Sequence, residues 1–375
     1  MKALFLSFHS LHATSGISKK IRYQVQALSD NGFETHLCYM SDQYEIKRRM
    51  LDQTVLADYG KGIQGKIYKR IEFTSILRYI MELQIDFVYI RSSHNANPFT
   101  IRLIRKIKKA GIRIVMEIPT YPYDQEYDST LRSISLLIDQ CFRKQLAKYM
   151  DRIVTFSPYA KIFGVPTIQI SNGIDFKDII PKQITNNTSQ CLHLIAVAEI
   201  HYWHGFDRLL KGLANYYRDY PSYKVYFHLI GEFFHPNERQ EYMSIIFSNN
   251  LIPYVRLHGR LANEPLDRLF EQCDFGIGSL GRHRSGITNI KTLKNREYAA
   301  RGIPFIYSEI DDDFENMPYI MKIAADETPV DIPQIIQFYQ SIDQSPEKIR
   351  NSIKHLSWKE QMKKVIESIF PSNVQ

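Results

Sequence analysis

The chain is 375 residues long, 44% hydrophobic and 23% charged, with a net charge of +8. That length exceeds one ordinary core and predicts two domains, and the composition is that of a soluble globular protein. No apolar run approaches the roughly 20 residues of a membrane-spanning helix, and the scattered Cys38, Cys141, Cys191 and Cys273 lack metal-ligand spacing and read as reduced thiols of a cytoplasmic protein.

The opening segment MKALFLSFHS has an apolar run too short for a signal peptide and reads as a first β-strand over 2–8. Ile21, Val25 and Leu28 recur at helical spacing over 17–28, and Asn31-Gly32 stops that helix. Further strands are predicted at 34–40, 86–91, 113–118 and 152–157. Positive charge concentrates here: residues 1–175 carry 25 Lys and Arg against 16 Asp and Glu, the remainder 23 against 24. Its densest parts are Lys47-Arg48-Arg49, 61–73 and 100–113, and Tyr68, Phe73, Leu77 and Ile80 interleave the second. Basic residues mixed with aromatics suit an anionic membrane surface or an anionic acceptor, the plainer alternative being a solvated helix face. No helix-turn-helix, zinc-finger or RNA-binding aromatic motif accompanies the charge, so nucleic acid is not an expected partner.

The polar, strand-poor stretch 176–190 separates two halves. Beyond it, strands are predicted at 192–198, 224–230, 254–258, 274–280 and 304–307, and Phe206, Leu209, Leu210, Leu213 and Tyr217 form one apolar helix face. Strands alternating with amphipathic helices predict an α/β protein with parallel sheets covered on both sides. The expected domains are 1–175 and 190–356, two doubly wound units facing each other across a cleft. Ligands of such sheets bind at the carboxyl ends of strands.

The stretch 274–308, DFGIGSLGRHRSGITNIKTLKNREYAARGIPFIYS, combines a buried strand, a loop rich in Gly and cations, a helix from about Asn289 and a second buried strand. Backbone N–H groups left open at a helix start favour anionic oxygens. Arg282, His283, Arg284 and Lys294 add side-chain donors, Gly286 lies in the loop, and Glu297 offers a carboxylate to vicinal hydroxyls. A pyrophosphate beside a ribose or sugar fits these groups. Asp311-Asp312-Asp313 contains an acid-x-acid pattern used by some metal-dependent transferases, but in its loop it reads as a solvated turn or helix cap. Glu297 has an alternative partner in Arg301, four residues on.

Several segments in order resemble glycosyltransferase family 4, the group 1 transferases of GT-B fold. They are Ser15-Gly16-Ile17-Ser18 before a helix, NGID (172–175), WHGFDRLL (203–210), HLIGEF (228–233), VRLHGRL (255–261), LKNREYAARGIPFIY (293–307) and SWKEQMKKVIESI (357–369). The last resembles the closing helix, 357–370, that packs back onto the first domain. WHG, LGRHR and REYAARGIPF together are similar to the branch serving surface-polysaccharide assembly.

The resemblance implies sugar transfer from a nucleoside-diphosphate donor of UDP or GDP type, with retention at the anomeric carbon and without a metal or other cofactor. Glu297 matches the family's ribose-binding acid. Asn289 stands where a second acid is usual, and His204, before Gly205, where a phosphate-binding Lys is usual. Arg282, Arg284 and Lys294 are therefore expected to supply the missing positive charge, Arg284 and Lys294 with Glu117 as catalytic groups. Asn289, His283, Gly286, His204 and Gly205 complete the expected donor site. On the acceptor side the expected residues are Glu117, which follows a buried strand, Tyr121, and Ser15 with Gly16. The implied acceptor is a glycan or lipid-linked oligosaccharide of capsule, exopolysaccharide or O-antigen synthesis, met in the cytoplasm or peripherally at the inner membrane face. A sugar-nucleotide epimerase of the same architecture and a non-catalytic sugar-nucleotide-binding descendant are the alternatives.

Overall fold

The computed structural model describes residues 1–11, 16–119, 121–123, 130–183, 191–287 and 289–371, the side chains of 130–134 excepted. The chain divides into two compact units, Met1–Ser171 with Trp358–Gln375, and Asn172–Ser357.

The first unit runs β1 (Lys2–Ser10), α1 (Gly16–Asp30), β2 (Glu34–Ser41), β3 (Arg48–Leu51), β4 (Thr54–Asp58), α2 (Gly62–Ile71), α3 (Thr74–Glu82) and β5 (Phe87–Arg91). It continues through α4 (Pro98–Lys109), β6 (Arg113–Ile118), α5 (Thr130–Ala147), β7 (Arg152–Thr155), β8 (Lys161–Ile162) and β9 (Val165–Gln169). The sheet order is β4-β3-β2-β1-β5-β6-β7-β9-β8. From β2 to β9 through β1 the pairs are parallel, and β3, β4 and β8 add antiparallel edges. Side chains alternate across this sheet as strand geometry demands. Ala3 and Phe5 join one core with Ile21 and Leu28 of α1, whereas Leu4 and Leu6 join the other with Ile80 of α3 and Ile104 of α4. Helix α4 starts sharply because Asn97 accepts from the N–H groups of Phe99 and Thr100 at 2.9 and 3.0 Å, ahead of Pro98. Such a cap contributes about 1 kcal/mol.

The second unit runs β10 (Cys191–Val197), α6 (Phe206–Tyr217), β11 (Lys224–Ile230), α7 (Pro236–Ser248), β12 (Val255–Gly259), α8 (Glu264–Gln272) and β13 (Phe275–Ile277). After these come α9 (Leu293–Arg301), β14 (Phe305–Tyr307), β15 (Ile320–Lys322), α10 (Ile332–Ser341) and α11 (Pro346–Ser352). Its sheet is parallel throughout the described residues, in the order β12-β11-β10-β13-β14-β15. Helices α6, α7 and α10 share one core with Leu194 and Phe227, and α8, α9 and α11 share the other with Ile195 and Phe305. A last helix, α12 (Trp358–Ile369), places Trp358, Met362, Val365 and Ile369 in the core that α1 forms in the first unit.

In each unit the strand order reverses beside the first strand, between β1 and β5 and between β10 and β13. Loops leaving the sheet to opposite sides open a crevice at that point. The described residues contain no helix long and apolar enough to cross a membrane.

Candidate functional site

At the reversal point of the second unit, the loops after β10 and β13 touch through two glycines. Gly205 has φ +65°, and a Cβ there would lie 2.6 Å from the Gly281 nitrogen. Larger residues would push apart the short 3-10 turns Tyr202–His204 and Arg282–Ser285. The cation-bearing turn is therefore a separate turn, not the start of a helix at Asn289 as the sequence predicts. Asn289 is exposed and forms a lone bridge to Ile310, and α9 begins at Leu293, where the Thr292 side chain caps it.

The turn divides its cations. Arg284 grips Asp207 with both terminal nitrogens, at 2.7 and 3.0 Å, donates to the Tyr202 carbonyl, and holds Glu327 through Nε at 2.9 Å. Hydrogen bonds to Glu327 and Asp207 raise its pKa above the usual range, so it stays charged but is already occupied. His283 also meets Glu327, at 2.6 Å. Arg282 instead lies 5.5 Å over the Trp203 ring, with its buried Nε unpartnered. Gly286 closes the turn in the left-handed region and is exposed.

Arg282, Lys294 and Glu309 form the open part of the cluster. Burial pushes Lys294 down, and the Arg282 charge adds to this while Glu309 opposes it. Glu309 follows β14 and is buried, and neither of its carboxylate oxygens has a side-chain partner. Burial pushes its pKa up, against the pull of Lys294 and Arg282. Sequence reasoning passed over Glu309, although the rule that singles out Glu117, an acid after a buried strand, applies equally to it.

His204 is 5% exposed and stacks on Phe206. Its Nδ1 accepts from the His201 N–H at 3.1 Å, which puts the ring proton on Nε2 in the neutral form. Burial, then Lys294 and Arg282, hold its pKa well below the ordinary value. This ring is a neutral donor and does not replace the charge of a lysine. Glu297 accepts from Arg301 at 3.0 and 3.2 Å through one oxygen, and Arg301 also holds Asp267 of α8 at 2.7 Å. The Asp311-Asp312-Asp313 loop differs from the solvated turn its sequence suggests. Asp311 is fully buried and pairs with the equally buried Arg296 at 2.8 Å, because that guanidinium also binds Asp313 and the carbonyls of Asn172 and Thr292.

In the first unit Glu117 is the last residue but one of β6, with 0% exposure. It accepts from Tyr89 at 2.5 Å and Gln24 at 2.6 Å, binds Arg91, and has Lys20 of α1 at 3.4 Å. With these partners it ties α1 to β5 and β6, a positioning arrangement rather than an open general base. The N–H of Tyr121 donates to Ser157 at 3.0 Å, and its ring packs edge-on against Tyr159 and Phe163. Gly16 is the exposed first residue of α1, and Ser15 lies outside the described residues. His9, at the end of β1, is held down to about 4 by burial and Arg91.

No protein-family model and no curated protein matches the sequence. Solved structures do match the fold. A sucrose-phosphate synthase from Thermosynechococcus elongatus is 13% identical, with 100% of both chains covered and a TM-score of 0.64. The catalytic domain of starch synthase IV from Arabidopsis thaliana, bound to ADP and acarbose, is 12% identical over 99% of both chains at TM-score 0.66. The pneumococcal O-GlcNAc transferase GtfA, in complex with UDP and GlcNAc, is 10% identical over 98% of both chains at TM-score 0.59. These likenesses define a GT-B fold of two Rossmann-like units.

Proposed function

We propose that the protein is a glycosyltransferase that takes its sugar from a nucleoside-diphosphate sugar, of UDP or GDP type, at the cluster after β13 and β14. The observation that carries this reading is the unspent charge there: Arg282 Nε, Lys294 and Glu309 meet at a strand-order reversal without being consumed by one another's hydrogen bonds. ADP or UDP bound to proteins of the same fold supports it.

The chemistry follows from charge. When the bond from the anomeric carbon to phosphate breaks, its electron pair goes to the leaving diphosphate. Fixed cations stabilise that charge, and one well-placed donor is worth about 3 kcal/mol in the transition state. Arg282 and Lys294 supply the cations, and an arriving diphosphate opposes the lowering that burial imposes on the Lys294 pKa. His204 Nε2–H donates without charge. Glu297, with one oxygen bound to Arg301, keeps the other for ribose hydroxyls. Glu309 offers its carboxylate to hydroxyls of the donor.

The finer reading is retention at the anomeric carbon without a metal, within family 4 and its surface-polysaccharide branch. It rests on the resemblance of 293–307 and 203–210 to that family. The acceptor is a glycan or lipid-linked oligosaccharide handled by the basic first unit at the inner membrane face. Incubation with UDP-, GDP- and ADP-sugars, with and without a mixture of glycan and lipid-linked acceptors, tests the class of reaction. Release of nucleoside diphosphate that depends on acceptor is expected. Interconversion of donor sugars without any acceptor would establish the epimerase instead.

A further inference from the structure

Arg49 sits on β3 with 0% exposure, yet no carboxylate lies at ion-pair distance from it among the described residues. Its terminal nitrogens donate to the carbonyls of Ser7 and Lys69, at 3.2 and 3.4 Å, its guanidinium contacts the Tyr59 hydroxyl and lies 5.4 Å over the Phe8 ring, and its Nε has no partner. A buried guanidinium without a counter-charge is destabilising, so such a group marks a place where an anion would be favourable. The surroundings agree. Arg49 lines a cavity of about 330 Å³ together with Lys69, Arg70, Asn95 and Thr100. Two more buried polar atoms of that lining, Asn95 Nδ2 and Thr100 Oγ1, are also unpartnered. Lys69 is held below its ordinary pKa, first by burial and then by Arg70, Lys47 and Arg49, while Asp42 opposes the shift.

The cavity also lies where the fold expects a ligand. Phe8 of β1, Met40 of β2 and residues 93–97 after β5 line it, at the carboxyl ends flanking the β1/β5 reversal. Ile71, Phe73 and Phe99 are shared with a second cavity of about 250 Å³, continued by Leu77 and Leu103 with Arg102 and Lys106 at its rim. The two cavities thus adjoin along three apolar side chains. Phe99 is 47% exposed although it is a large apolar side chain.

We propose that these adjoining cavities bind a phosphate ester of a long-chain alcohol, the phosphate against Arg49, Lys69 and Arg70 and the hydrocarbon along Phe73, Leu77 and Phe99. The assignment of this ligand as the sugar acceptor rests on the function proposed above; the binding site itself does not. Charge-assisted hydrogen bonds from Arg and Lys suit a phosphate. Contact with Phe73, Leu77 and Phe99 discriminates against a phosphate without a tail.

Calorimetric titration of the full chain with farnesyl phosphate, farnesol and inorganic phosphate tests the proposal. Farnesyl phosphate is expected to bind at least about tenfold more tightly than either of the other two, since each lacks one half of the recognition. The double variant Lys69→Gln/Arg70→Gln, at partly or fully exposed positions, should lose about tenfold for farnesyl phosphate. Phe99→Ser should weaken farnesyl phosphate but leave inorganic phosphate unchanged. Arg49→Met serves as the buried counterpart, used only if its circular dichroism matches the native chain. Equal binding of farnesyl phosphate and inorganic phosphate, or affinity indifferent to Lys69→Gln/Arg70→Gln, would overturn the proposal. Nucleotide-sugar binding measured on the same proteins separates the two readings. Its absence alongside tight farnesyl phosphate binding would overturn the transferase function while leaving this site in place.

Discussion

A guanidinium that already grips two carboxylates has little left for a ligand, and the residues of the candidate site divide on that basis. Arg284 is held by Asp207 and Glu327, and Glu117 by Lys20, Gln24, Tyr89 and Arg91. Arg282 and Glu309 keep unpartnered polar atoms, and burial pushes the Lys294 pKa down and the Glu309 pKa up. The sequence showed that cations gather at 282–294 because strand ends and loops can be read locally. It could not show that Asp207, 77 positions away, would claim Arg284. A second residue-scale consequence concerns His228, whose Nε2 and Nδ1 lie 3.0 Å from His193 and His258 across the β10–β12 strands. Burial, then His193, His258 and Arg256, hold His228 down to about 4. The folded chain therefore refuses a proton that the unfolded chain takes up below pH 6.5. Stability falls as pH drops from 6.5 through about 4, by on the order of 3 kcal/mol for this group. His228→Gln should flatten the decline of the urea midpoint between pH 7 and pH 4.5. A decline as steep as in the native chain would contradict the assignment.

At the scale of elements, the basic segments do different work than their composition suggests. In α4 the apolar positions Ile101, Leu103, Ile104 and Ile107 are buried, so much of its Lys and Arg forms a solvated face. The stretch 61–80 breaks at Glu72-Phe73 into α2 and α3, and Phe73 and Ile80 are core residues, not surface ones. Helix α2 alone stands out. Only Gly65 is buried in it, while Ile63, Ile67 and Tyr68 are exposed, Ile63 by 76%, beside Lys66 and Arg70. Apolar side chains mixed with cations on one exposed helix suit insertion at an anionic lipid surface. The triple variant Ile63→Ser/Ile67→Ser/Lys66→Glu should co-sediment less with anionic liposomes than the native chain, while neutral liposomes should bind neither. Unchanged sedimentation with anionic liposomes would remove α2 from that role. The β3–β4 hairpin escaped sequence reading because Lys47-Arg48-Arg49 presents as a charge run. Arg49 faces inward, an orientation that only the sheet imposes.

Across the whole molecule, the alternation of apolar strands and amphipathic helices was enough to establish the α/β class. Two-sided burial makes each parallel strand continuously hydrophobic and each covering helix one-faced. What the pattern does not contain is the strand order, which depends on which strands pair and so on contacts distant in sequence. That order creates the reversals at β1/β5 and β10/β13, and hence both candidate sites. The two tryptophans fall one in each unit, Trp203 beneath Arg282 and Trp358 in the core of α1 and α12. In a Trp358→Phe protein, Trp203 fluorescence thus reports the proposed nucleotide site alone. The most direct measurement follows that signal during thermal unfolding with UDP-, GDP- and ADP-sugars added in turn. At 100 times the dissociation constant a ligand adds about 2.7 kcal/mol, which for a unit of this size raises the midpoint by about 5–11 °C. The expected result is such a shift with one nucleotide sugar, lost in Arg282→Ala. No shift with any of the three, or one of equal size in Arg282→Ala, would contradict a nucleotide-sugar site at this cluster.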